Sequence, residues 1–461
     1  MDFDVTFDVI IVGAGGCGLT AAAALHDAHP KANIAVLDKA ARACGNTMLS
    51  SGSIPAAGTR FQAEAGVHDT PSLFQEDLHS VAGEHEAMHL TEALTRTSAE
   101  LIEWLVDRAN VRLTLIQTYK HIGHRVHRLH APPSRRGADL VNDLLVECER
   151  RGIPIVWNSK VEELLTHEGR LAGLAYATPD GDVVRVGARH IILACNGYAA
   201  NPAILARYVP EIARATYGGG MGSEGEAVQW GESLGAGLAN MKAYQAHASL
   251  ADPHGSLVTW TVVEKGGIIV DGTGRRFGDE SIGYSAFAAL ELERTGPFWV
   301  IADTRIRDAT AAGQGEYAEL VEHGGVQAGP LETLCIRTGI DPAGLATTLR
   351  AVRQLAREGG TDEHGRNQWG MGPLEETLTA TRIAPALFHT QGGLRVDADG
   401  RVQTPAGDAV NGLWAGGGAA SGISGNRGSL GYMSGNGLLS ALGLGYRIGR
   451  AIAKELETST A

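Results

Sequence analysis

The stretch Gly13-Ala14-Gly15-Gly16-Cys17-Gly18 constrains this chain more than any other, because of what flanks it. The apolar run Asp8-Val9-Ile10-Ile11-Val12 precedes it, the Ala-rich segment 19–28 follows, and a second apolar run, Ile34-Ala35-Val36-Leu37, ends in Asp38. Short apolar runs read as buried strands and the Ala-rich segment as a helix, so the order is strand, glycine turn, helix, strand. In such a unit Gly13, Gly15, Gly16 and Gly18 serve the tight turn, the close approach of backbone to a pyrophosphate, and the packing of helix on strand. Asp38 lies twenty residues past Gly18, where a carboxylate accepts both ribose hydroxyls. The helix start offers free N–H groups and a positive dipole end to the phosphates. These features together predict a bound dinucleotide.

A chain of 461 residues is too long for one ordinary core, so two domains are expected. Its 62 glycines suit a large cofactor lying on loops, because backbone that passes close to a ligand or turns sharply needs glycine. A net charge of −13 argues against nucleic acid as a partner. The five cysteines are scattered, with no CxxC and no Cys/His zinc spacing, which argues against haem attachment, iron–sulfur clusters and structural zinc, and no metal site is expected. Single cysteines fit a reducing compartment. The sequence enters its first strand directly after Asp2 and Asp4, with no basic and apolar leader, and no run is long enough to span a bilayer. A cytoplasmic protein is the expectation.

Residues 71–110 and 138–151 carry apolar positions at helical spacing, and 153–157, 171–177 and 183–186 read as short strands. The apolar run 190–194 reads as a buried strand ending at Asn196-Gly197, so residues 195–197 are expected to border the cofactor at the carboxyl edge of the sheet. Character shifts near 242. From there to about 388 strands (267–270, 298–302) alternate with helices (341–357, 373–381), as in an inserted cap domain. The run 412–418 then reads as a strand entering glycines, and 438–456 as a final helix. The expected division is 1–241 and 389–461 for a nucleotide domain and 242–388 for the cap. Glycine-rich contacts at both ends of the chain suit an extended FAD, with its adenosine on the first unit and its ring under the last helix.

Nine segments taken in order resemble the superfamily of FAD-dependent fumarate reductases and ketosteroid dehydrogenases. They are the opening motif; Gly45-Asn46-Thr47 with Ser50-Ser51-Gly52; 191–201; 222–225; Gln245-Ala246-His247; 267–280; His389-Thr390-Gln391-Gly392-Gly393; 413–418; and Ser434-Gly435-Asn436-Gly437-Leu438-Leu439. The resemblance implies an α/β fold, with a Rossmann-like FAD-binding domain (GR2-type) split by an inserted α+β capping domain. It implies an enzyme moving hydride between the flavin N5 and a C–C bond beside a carbonyl or carboxylate. Lys39, Gly45, Asn46, Thr47, Ser51, Gly52, Val161, Asn196, Gly197, Gly417, Gly418, Ser434, Gly435, Asn436, Leu438 and Leu439 join the first turn and Asp38 as expected cofactor residues. Membrane-bound relatives attach FAD through a His after the first unit; Asn46-Thr47-Met48 has none, so non-covalent FAD is expected.

The resemblance also carries substrate residues. The family's two substrate-gripping histidines correspond to His247 and His389. Its proton-delivery positions correspond, counted without gaps from Gly266, to Tyr284, Trp260 and Val263, and an indole and a Val cannot relay protons. That puts a fumarate-type mechanism in doubt. Asp279-Glu280-Ser281-Ile282-Gly283-Tyr284 instead resembles the segment in which ketosteroid dehydrogenases place a proton-transferring Tyr. An unperturbed phenol titrates near ~10, so Tyr284 needs a cation or hydrogen bonds to work as a base, with Arg275, Arg276 and Arg427 as candidates. Tyr432 and the Gly435 N–H resemble the carbonyl-polarising pair. Arg427 resembles a carboxylate-binding Arg, a surface charge being the other reading; Arg382 is a weaker candidate. The leading expectation is a small ketone or enone as substrate. The alternative is an unsaturated carboxylate, as in fumarate or urocanate reduction. A separate electron donor or acceptor is expected, since no second nucleotide motif appears.

Overall fold

The computed structural model describes residues 2–118, 120–121 and 123–460. The chain forms two compact units. Unit 1 runs to Ala213 and takes Gly219–Tyr244 and the chain from Phe388 on; unit 2 takes Arg214–Gly218 and Gln245–Leu387.

In unit 1 the opening motif forms strand β1 (Val5–Val12), helix α1 (Gly16–Ala28) and strand β2 (Ile34–Leu37). β1 pairs parallel with β2 on one side and with the strand Val183–Leu193 on the other. Strands flanked in this way are covered on both faces, which is why their apolar runs are continuous. Ala409–Ala415 extends the sheet in parallel beyond Val183–Leu193, Arg401–Gln403 forms one edge and Ile155–Val156 the other. Val183–Leu193 is one strand where two were expected. Its first half carries the antiparallel meander Lys160–His167 and Arg170–Ala177, and its second half is buried between β1 and Ala409–Ala415. The polar Arg189-His190 between the halves masked that continuity in the sequence.

The closing helix, Asn436–Thr460, lies on α1 with almost no gap. A Cβ at Gly445 would fall 2.4 Å from the Cys17 carbonyl oxygen, and one at Gly449 2.6 Å from that of Ala21. These two glycines, one turn apart, let the helices touch backbone to backbone. The region 71–110 resolves into Pro71–Ala82 and Met88–Asp107, the first ending at Gly83 with φ +69°.

Unit 2 is built on a six-stranded sheet around Leu378–Thr390, which pairs with Phe298–Asp303, Thr216–Tyr217, Gln327–Gly329 and Tyr244–Ala251. The helix expected at 373–381 is therefore absent. Leu378 to Ile383 line up antiparallel against Phe298–Asp303, and this long-range pairing overrides the helical character of Glu375 and Glu376. Glu280 anchors the approach to Tyr284. Burial alone would raise its carboxyl, but the Arg366 and Arg276 charges outweigh that and hold it below the usual range. Asp279 caps the turn Glu280–Ile282, Gly283 reverses the chain at φ +99°, and Tyr284 starts the helix Tyr284–Leu292. No helix among the described residues is long and apolar enough to cross a membrane.

Candidate active site

The glycine turn is dictated by contact. A Cβ at Gly13 (φ +113°) would lie 2.4 Å from the Ala194 carbonyl oxygen, one at Gly18 2.0 Å from that of Gly13, and one at Gly16 2.7 Å from Thr47 Oγ1. Gly15 is different: nothing lies within 4 Å of its Cβ position. It is the N-cap of α1 and brings no side chain, so the first N–H groups of the helix have no side-chain cap. Asp38 closes the turn from the end of β2. Its Oδ2 accepts the Ala14 N–H and its Oδ1 the Ala40 N–H, both at 2.8 Å. Lys39 is committed to ion pairs with Glu224, at 2.8 Å, and Glu226.

Three segments far apart in sequence are knotted beside this turn. The Asn46 Oδ1 accepts the Gly220 N–H at 2.6 Å, the Asn196 Nδ2 donates to Ser223 Oγ at 2.7 Å, and Ser223 Oγ donates to the Gly220 carbonyl at 2.8 Å. Asn196 itself has φ +72°, a left-handed corner that Asn tolerates. A Cβ at Gly197 would meet Thr390 Oγ1 at 2.2 Å, and one at Gly418 would meet Asn196 Oδ1 at 2.5 Å. Gly417 turns at φ +60° and Gly52 at φ +71°. Ser51 Oγ lies 3.0 Å from Ser53 Oγ, the Gly45 Cβ position is open, and Val161 is buried in the meander.

At the start of the closing helix, Leu439 is buried in the core and Leu438 packs at its margin. Asn436 Oδ1 and Ser440 Oγ, also buried and one turn apart, hydrogen-bond to nothing among the described residues. Buried polar atoms normally find a partner. An uncapped, open helix start at one end of the chain and orphaned buried polar atoms at the other fit a cofactor with both phosphates and a polar ring. Among the described residues no group of three His, Cys, Asp or Glu side chains could hold a metal ion.

His389 stands over the first turn of the closing helix: a Cβ at Gly437 would come 2.7 Å from its Cε1. Burial pushes it down to about 4, so its ring is neutral. The Gln391 Nε2 lies 2.9 Å from its Nδ1, Ser424 Oγ donates to Gln391 Oε1 at 3.1 Å, and Asn436 Nδ2 donates to Ser424 Oγ at 3.3 Å. Tyr432 meets the His389 ring edge-on, centroids 5.8 Å apart. Gln391 and Ser424 were missed as site residues, although Gln391 sits inside a recognised motif. The exposed Arg427 donates to the Val81 carbonyl at 2.9 Å.

Unit 2 gathers an aromatic cluster. His247 stacks on Tyr284 with centroids 4.5 Å apart and planes 15° off parallel, and Trp260 stands edge-on to both rings, 6.0 Å from His247 and 6.2 Å from Tyr284. The His247 Nδ1 accepts the Ser249 N–H at 3.1 Å, which places the proton of the neutral ring on Nε2. Burial pushes His247 down to about 3. The Trp260 indole N–H is buried with no hydrogen-bond partner among the described residues. Of the cations considered for Tyr284, Arg276 is spent on Glu280 and Asp362, and Arg275 is exposed. Arg382 pairs with Asp252 at 2.9 Å.

The profile of the family described as FAD binding domain matches residues 8–432. The chain is 27% identical over 455 residues to the NADH:fumarate oxidoreductase of Klebsiella pneumoniae, covering 97% of this chain and 48% of that one; it thus spans about half the length of that relative. Among solved structures, the open conformation of a flavocytochrome c3 fumarate reductase superposes with a TM-score of 0.81 at 26% identity, covering 98% of this chain and 79% of the other. The 3-ketosteroid-Δ4-(5α)-dehydrogenase of Rhodococcus jostii shares the fold, with a TM-score of 0.75 at 22% identity and 98% of each chain covered. With the glycine turn, the Asp38 carboxylate and the open start of α1 in place, the chain belongs to the FAD binding domain family, and FAD is its cofactor.

Proposed function

We propose that this protein is an oxidoreductase acting on a C–C bond next to the carbonyl of an uncharged ketone or enone. FAD supplies the hydride chemistry at its N5 and is held without a covalent bond by the glycine turn, Asp38 and the start of the closing helix. The observation that carries the choice of substrate is the charge of the residues assigned to it. His247 and His389 are both kept neutral by burial, Arg382 is paired with Asp252, and Arg427 donates to a backbone carbonyl. Neutral N–H donors suit a carbonyl oxygen, whereas two carboxylates call for charge-assisted bonds from fixed cations.

In this reading the Gly435 N–H and Tyr432 of unit 1 polarise the substrate oxygen. The phenol of Tyr284 takes the proton from the carbon next to the one losing hydride, or gives it in the reverse direction. The stacked imidazole fixes the plane of that phenol. Electrons pass to or from a separate carrier, quinone or oxygen, and the scattered free thiols support a reducing compartment such as the cytoplasm.

A second reading, reduction of an unsaturated carboxylate, is favoured by the relative named for fumarate, with Arg427 as the anion grip. Anaerobic reduction of the loaded protein, followed by cyclohexenone, fumarate or urocanate, separates the two. Rapid reoxidation by cyclohexenone alone is the expected outcome, and rapid reoxidation by fumarate or urocanate alone selects the second reading. Acid precipitation is expected to leave the flavin in the supernatant; a yellow pellet would overturn non-covalent binding.

A further inference from the structure

We infer that His124 is a positioning residue that aims and polarises the Gly435 N–H. This rests on the reading of that N–H as a donor to the substrate oxygen. His124 lies outside every motif that carried the functional reading, yet its Nε2 is 2.9 Å from the Ser434 carbonyl oxygen. A carbonyl only accepts, so Nε2 carries the proton. The Nδ1 lone pair then faces Arg128 Nη1, a donor, at 3.4 Å. Burial, with the Arg128 charge beside it, pushes His124 down to about 3, so the ring remains neutral in this one tautomer.

The support behind the ring is rigid. The fully buried Arg128 guanidinium donates to both oxygens of Asp69, at 2.7 and 2.8 Å, and to Asp77 at 2.8 Å, and it lies over the Phe74 ring at 4.4 Å. Gly123, at φ +88°, lets the His124 segment close on Met433: a Cβ there would fall 2.7 Å from Met433 Cγ.

The Ser434 carbonyl and the Gly435 N–H belong to the same planar trans peptide and point in opposite directions. Holding one therefore aims the other. A donor on the carbonyl oxygen also polarises the peptide and strengthens the N–H opposite. The Gly435 N–H donates to nothing among the described residues, and the closing helix begins only at Asn436. The path thus runs from Asp69 and Asp77 through Arg128 and His124 to a backbone donor that the fold leaves unspent.

The test uses the FAD-loaded full chain with bound cyclohexenone, reading the infrared carbonyl stretch of the ligand together with kcat and KM. The wild type is expected to lower the stretch relative to water. His124→Leu is expected to lose at least half of that displacement and to lower kcat by roughly tenfold or more, with KM within about threefold, since a misaimed donor forfeits stabilisation made mainly in the transition state. His124→Gln, which keeps an N–H donor, is expected to retain most of both. A His124→Leu protein with the wild-type stretch and kcat overturns the role of His124 alone. A wild type that leaves the stretch unmoved overturns the reading of Gly435 as the polarising donor, and the inference with it. Should His124→Leu fail to fold, 15N spectra of the wild-type imidazole decide: a proton on Nε2 is expected, and one on Nδ1 overturns the inference.

Discussion

The turn at Gly13–Gly18 and the cluster of His247, Trp260 and Tyr284 are specified in opposite ways. In the turn the backbone decides. Gly13 and Gly18 have no room for a Cβ, so their identity follows from distances to main-chain carbonyls. In the cluster the side chains decide: the local folds are an ordinary strand, a short turn and a helix start, which many residues could occupy, and only the rings meeting there give the place a chemistry. A backbone constraint leaves a spacing rule in the sequence, while a side-chain constellation leaves three isolated letters.

The largest expected effect comes from removing the first kind of constraint. Gly18→Ala puts a methyl 2.0 Å from the Gly13 carbonyl oxygen and is expected to leave no folded, flavin-loaded protein. Gly15→Ala, with nothing within 4 Å, is expected to fold with a Tm close to wild type and yet bind FAD at least ~10-fold more weakly, because the methyl occupies space the phosphates need. Equal damage from both substitutions, in circular dichroism and flavin titration, would break the contrast.

Tyr284→Phe keeps the stack on His247 and removes the hydroxyl. Turnover is expected to fall by about 10²–10⁴-fold, the range for a lost acid–base group, with normal flavin content. Retained turnover would take Tyr284 out of the chemistry.

Acid tests the buried imidazoles. His124, His247 and His389 have folded values of about 3, 3 and 4, below an unfolded value near ~6.5. The unfolded state binds more protons between those limits, so the stability these rings contribute is complete above pH ~6.5 and is lost as pH falls toward the folded values, by about 1.4 kcal/mol per ring for each pH unit. Urea midpoints between pH 7 and 4.5 should fall steadily, and a midpoint flat over that window would show that the rings take up protons in the folded state as readily as in the unfolded one. The smallest effect is expected from Arg427→Gln, within about twofold on enone turnover for an exposed side chain bonded to a carbonyl. A tenfold loss on a carboxylate acceptor would favour the second reading.

The sequence made legible what repeats a backbone rule. β1, α1, β2 and Asp38 stand where the glycines and apolar runs put them. It misled where distant pairing decides: Leu378–Thr390 became a strand because Phe298–Asp303 lies beside it, and Val183–Leu193 ran through the polar Arg189-His190 without a break. The short piece Arg214–Gly218 joins unit 2 through the pairing of Thr216 and Tyr217 with Ala386 and Leu387, which no local pattern announces. Gln391, Ser424 and His124 escaped notice because each acts through hydrogen bonds to residues far along the chain or to backbone, and no spacing records such bonds.

The contact of Gly445 and Gly449 with Cys17 and Ala21 sets a timetable for the newborn polypeptide. More than 400 residues separate the alanines of α1 from the helix that shields them, so those alanines are made well before their cover. At about 5–20 residues per second the wait is tens of seconds, long enough for chaperones to matter. Flavin capture is thereby postponed until that helix has been made, and a product stalled before it would leave the alanines of α1 uncovered.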